Sequence, residues 1–259
     1  MRIALGVEYK GSSYSGWQKQ LHSSSIQEHV EIALSRIANV KIKIICAGRT
    51  DAGVHALEQV IHFDTELSRP IKSWTLGTNT HLPFDIRILW AIEVSGEFHA
   101  RFSAVQRSYQ YVILNRKVQA GFLHKLVSHD YRPLDINLMQ QAANYLIGKH
   151  NFNSYRAKHC QSKTPIRTMI KLEVIRNGNF VIIEFVANAF LHHMVRNISG
   201  VLMTVGCSEK KPEWAYEILQ LQDRQHKGVT ASPDGLYLTS IQYPDTFNLP
   251  QLANSASIW

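Results

Sequence analysis

Cysteine is scarce in this chain of 259 residues: three stand at Cys46, Cys160 and Cys207, far apart and odd in number. No Cys-x-x-Cys pair and no matching Cys/His spacing accompanies them, which argues against a disulfide framework and against a zinc site. Thiols used so sparingly fit a reducing, cytoplasmic compartment. No apolar run approaches the about 20 residues that a membrane-spanning helix needs, so no membrane partner is expected. The apolar stretch from Arg2 to Tyr9 is short and interrupted by Glu8, and reads as a strand, not as a signal peptide. Also missing are Gly-x-Ser-x-Gly, His-Glu-x-x-His and any cluster of carboxylates, so hydrolase and metalloenzyme readings have no support. Even charge is thin. Asp, Glu, Lys and Arg make up 19% of the chain, below the usual quarter.

What charge there is leans one way. Lys and Arg number 28 against 20 Asp and Glu, a formal charge of +8, which favours a polyanionic partner such as nucleic acid. With 45% hydrophobic residues the chain can bury a substantial core, and intrinsic disorder is excluded.

Short strands and helices alternate along the chain. Ile3, Leu5 and Val7 alternate with other residues in a first strand. Ser25-Ile26-Gln27-Glu28 predicts a capping box, and Ile26, Val30, Ala33, Leu34 and Ile37 follow at helical spacing. Strands are expected over Lys41 to Ala47, Gln59 to Thr65 and Arg87 to Val94, with a helix near Ile71 to Thr78. The order then repeats. A strand spans Ser108 to Leu114, and Asp135 caps a helix that Gly148 ends. Strands from Thr168 to Ile175 and Phe180 to Val186 flank a three-residue turn, Asn177-Gly178-Asn179. A helix over Phe190 to Val205, stopped by Gly206, carries Leu191, Met194, Val195, Ile198, Val201, Leu202 and Val205 on one side, with His192 and Arg196 opposite them. A further helix from Pro212 and a strand from Leu236 to Tyr243 complete the order. This predicts an α+β fold of two similar β-α-β-β-α-β halves, with helices against a largely antiparallel sheet. The join is expected near residues 96–106, dividing the chain into 1–104 and 105–259.

Three clusters could carry chemistry. Ala47-Gly48-Arg49-Thr50-Asp51-Ala52-Gly53-Val54-His55-Ala56 joins two apolar strands. Asp51 sits near its tip, with Arg49 close enough to hold a carboxylate ionised. The ordinary reading of Asp-x-Gly is a turn, and of His55 a packed histidine. Around Ser108, Arg107, Tyr109 and Tyr111 share one face of a strand and could stack a base, unless the tyrosines are core. The third cluster is His192 with Arg196. Gly11, Tyr14, Gly16, Trp17 and Gln18 form a glycine-aromatic loop without dinucleotide or Walker spacing.

These residues together resemble the TruA-type tRNA pseudouridine synthases over nearly the whole chain. Gly48 to Ala56 is the most specific match, joined in order by Gly16-Trp17-Gln18, Leu82-Pro83 with Asp85-Ile86, Arg101 to Tyr111, His193 to Asn197, and Gly235 to Leu238. The resemblance implies two α/β halves around a central sheet and a cleft between them. It also implies conversion of uridine to pseudouridine at tRNA positions 38, 39 and 40, without cofactor or metal, by a homodimer. By the same resemblance Asp51 is the catalytic aspartate and Tyr109 stacks the target base. Arg49 helps turn the nucleotide out, Arg196 pairs with the aspartate, and Leu236 lines the pocket. Lys10 and Glu58 depart from the family's usual aspartate and glycine, and are expected to affect only local loop contacts. A basic tRNA-binding module or RNA chaperone without catalysis fits the charge and the aromatic strands equally well. What speaks against it is Asp51, an anion from which a passive RNA binder gains nothing.

Overall fold

The computed structural model describes residues 1–158, 160–223 and 229–250. Among them are ten strands and four α-helices, in an α+β arrangement with largely antiparallel pairing. They fall into two compact units. The first is Met1–Val105 with the described residues from Tyr237 onward, and the second is Gln106–Leu236.

In the first unit, β1 (Arg2–Tyr9) lies between β3 (His55–Asp64) and β4 (Ile86–Val94), antiparallel to both. β2 (Ile45–Cys46) pairs with β3, and β10 (Leu236–Gln242) brings Tyr237 and Leu238 parallel to His55 and Ala56. Ile3, Leu5, Ile61 and Phe63 are buried, and Trp74, from a π-helical turn at Ser73–Gly77, packs edge-on to Phe63 at 5.1 Å. The strand expected over Lys41 to Ala47 is reduced to two residues. α1 (Ile26–Ala38) takes the neighbouring amides: Ile42 N–H donates to Ser35 Oγ and Ile44 N–H to Glu31 Oε1, which leaves them outside the ladder.

The capping box is not formed either. Ser25 is the N-cap, but its buried hydroxyl has no hydrogen-bond partner, and Glu28 instead pairs with Lys19 at 3.1 Å. Backbone does the capping. Ile26 N–H donates to the Gly16 carbonyl and Gln27 N–H to the Trp17 carbonyl, so the loop after β1 closes the helix end.

In the second unit, β5 (Gln106–Asn115), β9 (Phe180–Ala187), β8 (Ile166–Asn177) and β7 (Gly148–Asn151) form an antiparallel series, and β6 (Ser128–Asp130) pairs parallel to β5. Asp135 caps α2 (Ile136–Asn144), accepting from the Asn137 and Leu138 amides. That helix stops earlier than expected, and Gly148, with φ of +104°, opens β7 instead. The β8–β9 turn has two residues, since Asn177 and Phe180 still pair across it. α3 (Met194–Gly206) begins later than expected because His193 is its left-handed N-cap. His192 therefore precedes the helix, and helical spacing does not relate it to Arg196. The apolar side holds: Leu191, Met194, Val195, Ile198, Val201, Leu202 and Val205 are all buried. Gly206 is the last residue of this helix and not a left-handed stop after it; what requires glycine there is packing, because a Cβ would meet Met139 of α2 at 2.7 Å. α4 (Trp214–Leu221) completes the unit.

Candidate active site

In the first unit, the Asp51 loop leaves β2 and enters β3. Its entrance is fixed by Gln59 of β3, whose amide donates to the Gly48 carbonyl at 2.5 Å while its oxygen accepts from the Gly48 N–H at 3.3 Å. Thr50 is buried, its hydroxyl 2.7 Å from that of Tyr9 on β1. Past the tip, Val54 N–H closes a turn onto the Asp51 carbonyl at 3.2 Å. Gly53, with φ of +81°, donates to the Tyr14 carbonyl at 3.4 Å.

The glycine-aromatic loop is the clamp. Trp17 N–H donates to the Thr50 carbonyl at 3.0 Å. Gly16, with φ of +93°, lies so close that a Cβ would stand 2.7 Å from the Thr50 oxygen and 3.0 Å from the Asp51 carbonyl carbon. Only glycine meets both the backbone angle and the space. The same two residues close the end of α1, so the helix, the loop and Asp51 are positioned as one piece. The sequence signal for this support was the Gly11 to Gln18 cluster, whose partner was not legible. Tyr14 extends the frame, its hydroxyl donating to Asp85 Oδ1 at 2.6 Å.

Within this frame Asp51 is half-buried and Arg49 is exposed. His55 is packed. Its ring is buried, stacked on Tyr237 at 4.7 Å, and its Nδ1 accepts from the Gly11 amide at 3.1 Å. Burial pushes the Cys46 thiol up to about 12, so it stays protonated and is no nucleophile at neutral pH. The carboxylate of Asp51 is the group on this loop that can attack carbon or take a proton.

In the second unit, Tyr111 turns out to be core: it is fully buried, and its hydroxyl donates to the Ser232 carbonyl at 2.9 Å. Tyr109, two residues earlier on β5, is only half-buried and meets Phe190 edge-on at 4.9 Å. Arg107 donates to the Asn188 carbonyl at 2.8 Å. Arg196 stands in the first turn of α3, strapped to the segment before β10. Its Nε donates to the Ala231 carbonyl at 2.8 Å, and the Ala231 N–H donates back to the Arg196 carbonyl at 3.1 Å. Asn197 is wholly buried and receives a hydrogen bond from Thr230 at 2.7 Å. Leu236 is buried at the start of β10, just after this strap.

Of the two residues that depart from the family pattern, Glu58 lies elsewhere than expected. Lys10 is exposed at the end of β1, its amide donating to the Asp85 carbonyl at 2.9 Å. Glu58 is no loop residue. It is buried in β3 and accepts from the Trp90 indole N–H at 2.8 Å, and burial raises its pKa above the ordinary carboxyl value.

A sequence model of tRNA pseudouridine synthases matches residues 6–103 and 142–244. Asp51, Arg49, Arg196 and Leu236 fall inside those stretches, and Tyr109 lies between them. Three proteins named tRNA pseudouridine synthase A are similar over nearly the full chain. The one from Pseudoalteromonas atlantica is 53% identical over 97% of this chain and 96% of its own length. That from Vibrio campbellii is 50% identical with the same coverage, and that from Pseudomonas aeruginosa is 51% identical over 96% of this chain and 88% of its own. A match of this extent in both halves, with the clamped Asp51 loop at the centre of the first, means that the chain belongs to the tRNA pseudouridine synthase family, isomerases that turn uridine into pseudouridine in tRNA.

Proposed function

We propose that this chain isomerises uridine to pseudouridine in the anticodon arm of tRNA, at positions 38, 39 and 40, with Asp51 as the catalytic group. The observation that carries this reading is the Asp51 loop, whose backbone is held on both sides by Gly16, Trp17 and Gln59 while Asp51 itself is only half-buried. The reaction breaks the N1–C1′ bond, turns the uracil and joins C5 to C1′; the hydrogen at C5 leaves as a proton and N1 takes one up. Nothing is oxidised or reduced, so the chemistry calls for no cofactor. An ionised carboxylate can open it by attacking the sugar or the base, or by removing the C2′ proton. A clamped loop supports either role, because a catalytic group held in place reacts without first being ordered.

The target uridine is out of reach while stacked in the arm, so it has to flip out of the helix. Tyr109, an accessible ring on a rigid strand, takes over its stacking. Arg49, exposed beside Asp51, turns the nucleotide out. Arg196 and Leu236 keep the roles that the family resemblance gives them, as the cation serving the aspartate and as an apolar pocket wall. Among the described residues no helix is long and apolar enough to cross a membrane. A cytoplasmic homodimer acting on tRNA completes the reading.

The test is incubation of the pure protein with unmodified tRNA, followed by mapping of pseudouridine. Wild type should modify positions 38 to 40. Asp51→Asn keeps size and loop geometry but loses the anion, and should slow single-turnover conversion at least about a hundredfold while tRNA binding persists. Substantial conversion by that variant would remove Asp51 from the chemistry.

A further inference from the structure

An aromatic ring close to the Asp51 loop has no part in the reading above. Phe84 is 96% exposed, in the turn between Pro83 and β4. A single exposed apolar side chain means little by itself. Three features set this one apart, all within the first unit.

The ring is backed by a fixed cation. The Arg87 guanidinium lies 5.3 Å from the ring centroid, and its Nη1 donates to the carbonyls of Pro83 and Ile86 at 2.6 and 2.7 Å. The turn itself is rigid. Ile86 N–H donates to the Pro83 carbonyl at 3.1 Å, Lys10 N–H to the Asp85 carbonyl at 2.9 Å, and the Tyr14 hydroxyl to Asp85 Oδ1 at 2.6 Å. Finally, the turn is joined to the catalytic loop, because the Tyr14 carbonyl accepts from Gly53 at 3.4 Å. Phe84 therefore stands on the same hydrogen-bonded frame as Asp51, with exposed Lys10 attached to its turn.

We propose that Phe84, with Arg87 against its ring and exposed Lys10 bonded through its backbone to the same turn, is a stacking platform for an unpaired tRNA nucleotide other than the uridine being isomerised. Base stacking on an aromatic ring tolerates any base, and a guanidinium against the ring adds a cation for the phosphate or the π-face. The cations are what select RNA as the occupant. A protein partner would be met by a wider apolar surface, whereas one ring backed by Arg87, on a turn bonded to exposed Lys10 in a chain of charge +8, complements a base on a phosphate backbone. The proposal rests on the tRNA reading above.

The test compares Phe84→Ala, Phe84→Leu, Phe84→Tyr and Lys10→Gln. Each is measured for Kd, KM and kcat on an unmodified tRNA transcript, and for oligomeric state by sedimentation. Ala and Leu should both weaken tRNA binding by about fivefold or more, Tyr should bind within about twofold of wild type, and the loss should sit in KM far more than in kcat. Lys10→Gln should flatten the salt dependence of binding by about one unit of slope. Wild-type affinity in Phe84→Leu would overturn the platform, since apolar contact without a π-face would then suffice. So would a change of oligomeric state in Phe84→Ala, which would assign the ring to a protein contact. A wild type that binds the transcript yet forms no pseudouridine would instead overturn the catalytic reading, independently of what the Phe84 variants do to Kd.

Discussion

Glu58 shows how far one side chain can stand from its sequence neighbours. It is three residues past His55 in the chain, yet it is buried in mid-strand, where its carboxyl group accepts from an indole. Trp90 reaches it across β1, over Gly6, where a Cβ would stand 2.3 Å from the indole nitrogen. Burial raises the Glu58 pKa, so folding favours the protonated acid. Its contribution is complete below the unfolded carboxyl value and is lost as pH rises through the higher folded value. Glu58→Gln keeps an acceptor for Trp90 and removes the charge. Thermal melts should show it more stable than wild type at pH 8, with the difference shrinking toward pH 4. A difference that stays constant with pH would mean that ionisation of Glu58 is not its source.

Elements, too, take their ends from tertiary partners. α1 and α2 both begin at residues that read as N-caps, but only Asp135 acts through its side chain. Ser25 leaves that task to the carbonyls of Gly16 and Trp17. Asp135→Ala should therefore cost about 1 kcal/mol in urea unfolding, whereas Ser25→Ala should stay within about 0.5 kcal/mol of wild type. Equal losses in the two variants would restore a capping role to Ser25. The contrast has a functional side, because the backbone that closes α1 also holds the Thr50 carbonyl. What looks like a helix signal is part of the support for Asp51.

At the scale of the whole molecule the relevant quantity is charge. A surplus of +8 carried by a chain with few charged residues is available to phosphates, and phosphate contacts release counterions. The logarithm of Kd for tRNA should rise linearly with the logarithm of salt concentration. Asp51→Asn should keep the wild-type slope, since removing one carboxylate deletes no phosphate contact. A slope near zero, measured by filter binding across a fourfold salt range, would show that the positive surplus is not what holds the RNA.

Much of this protein was legible in one dimension, and the residues show where that ended. The apolar stripe of α3, the Asp135 cap and the β8–β9 hairpin are local patterns, set by the 3.6-residue and two-residue periods and by turn chemistry, so the sequence alone determined them. The same holds for Asp51 as a candidate, because its motif is contiguous and specific. Other features depend on which distant group arrives first. The amides of Ile42 and Ile44 went to α1 side chains and not to a strand, Tyr111 became core while Tyr109 stayed accessible, and Glu58 found Trp90. Donors, acceptors and apolar surface are satisfied by neighbours in space, and sequence spacing does not name those neighbours. The motif proposed as catalytic could thus be read from order alone. The clamp of Gly16, Trp17 and Gln59 that makes it a fixed site was decided only by the fold.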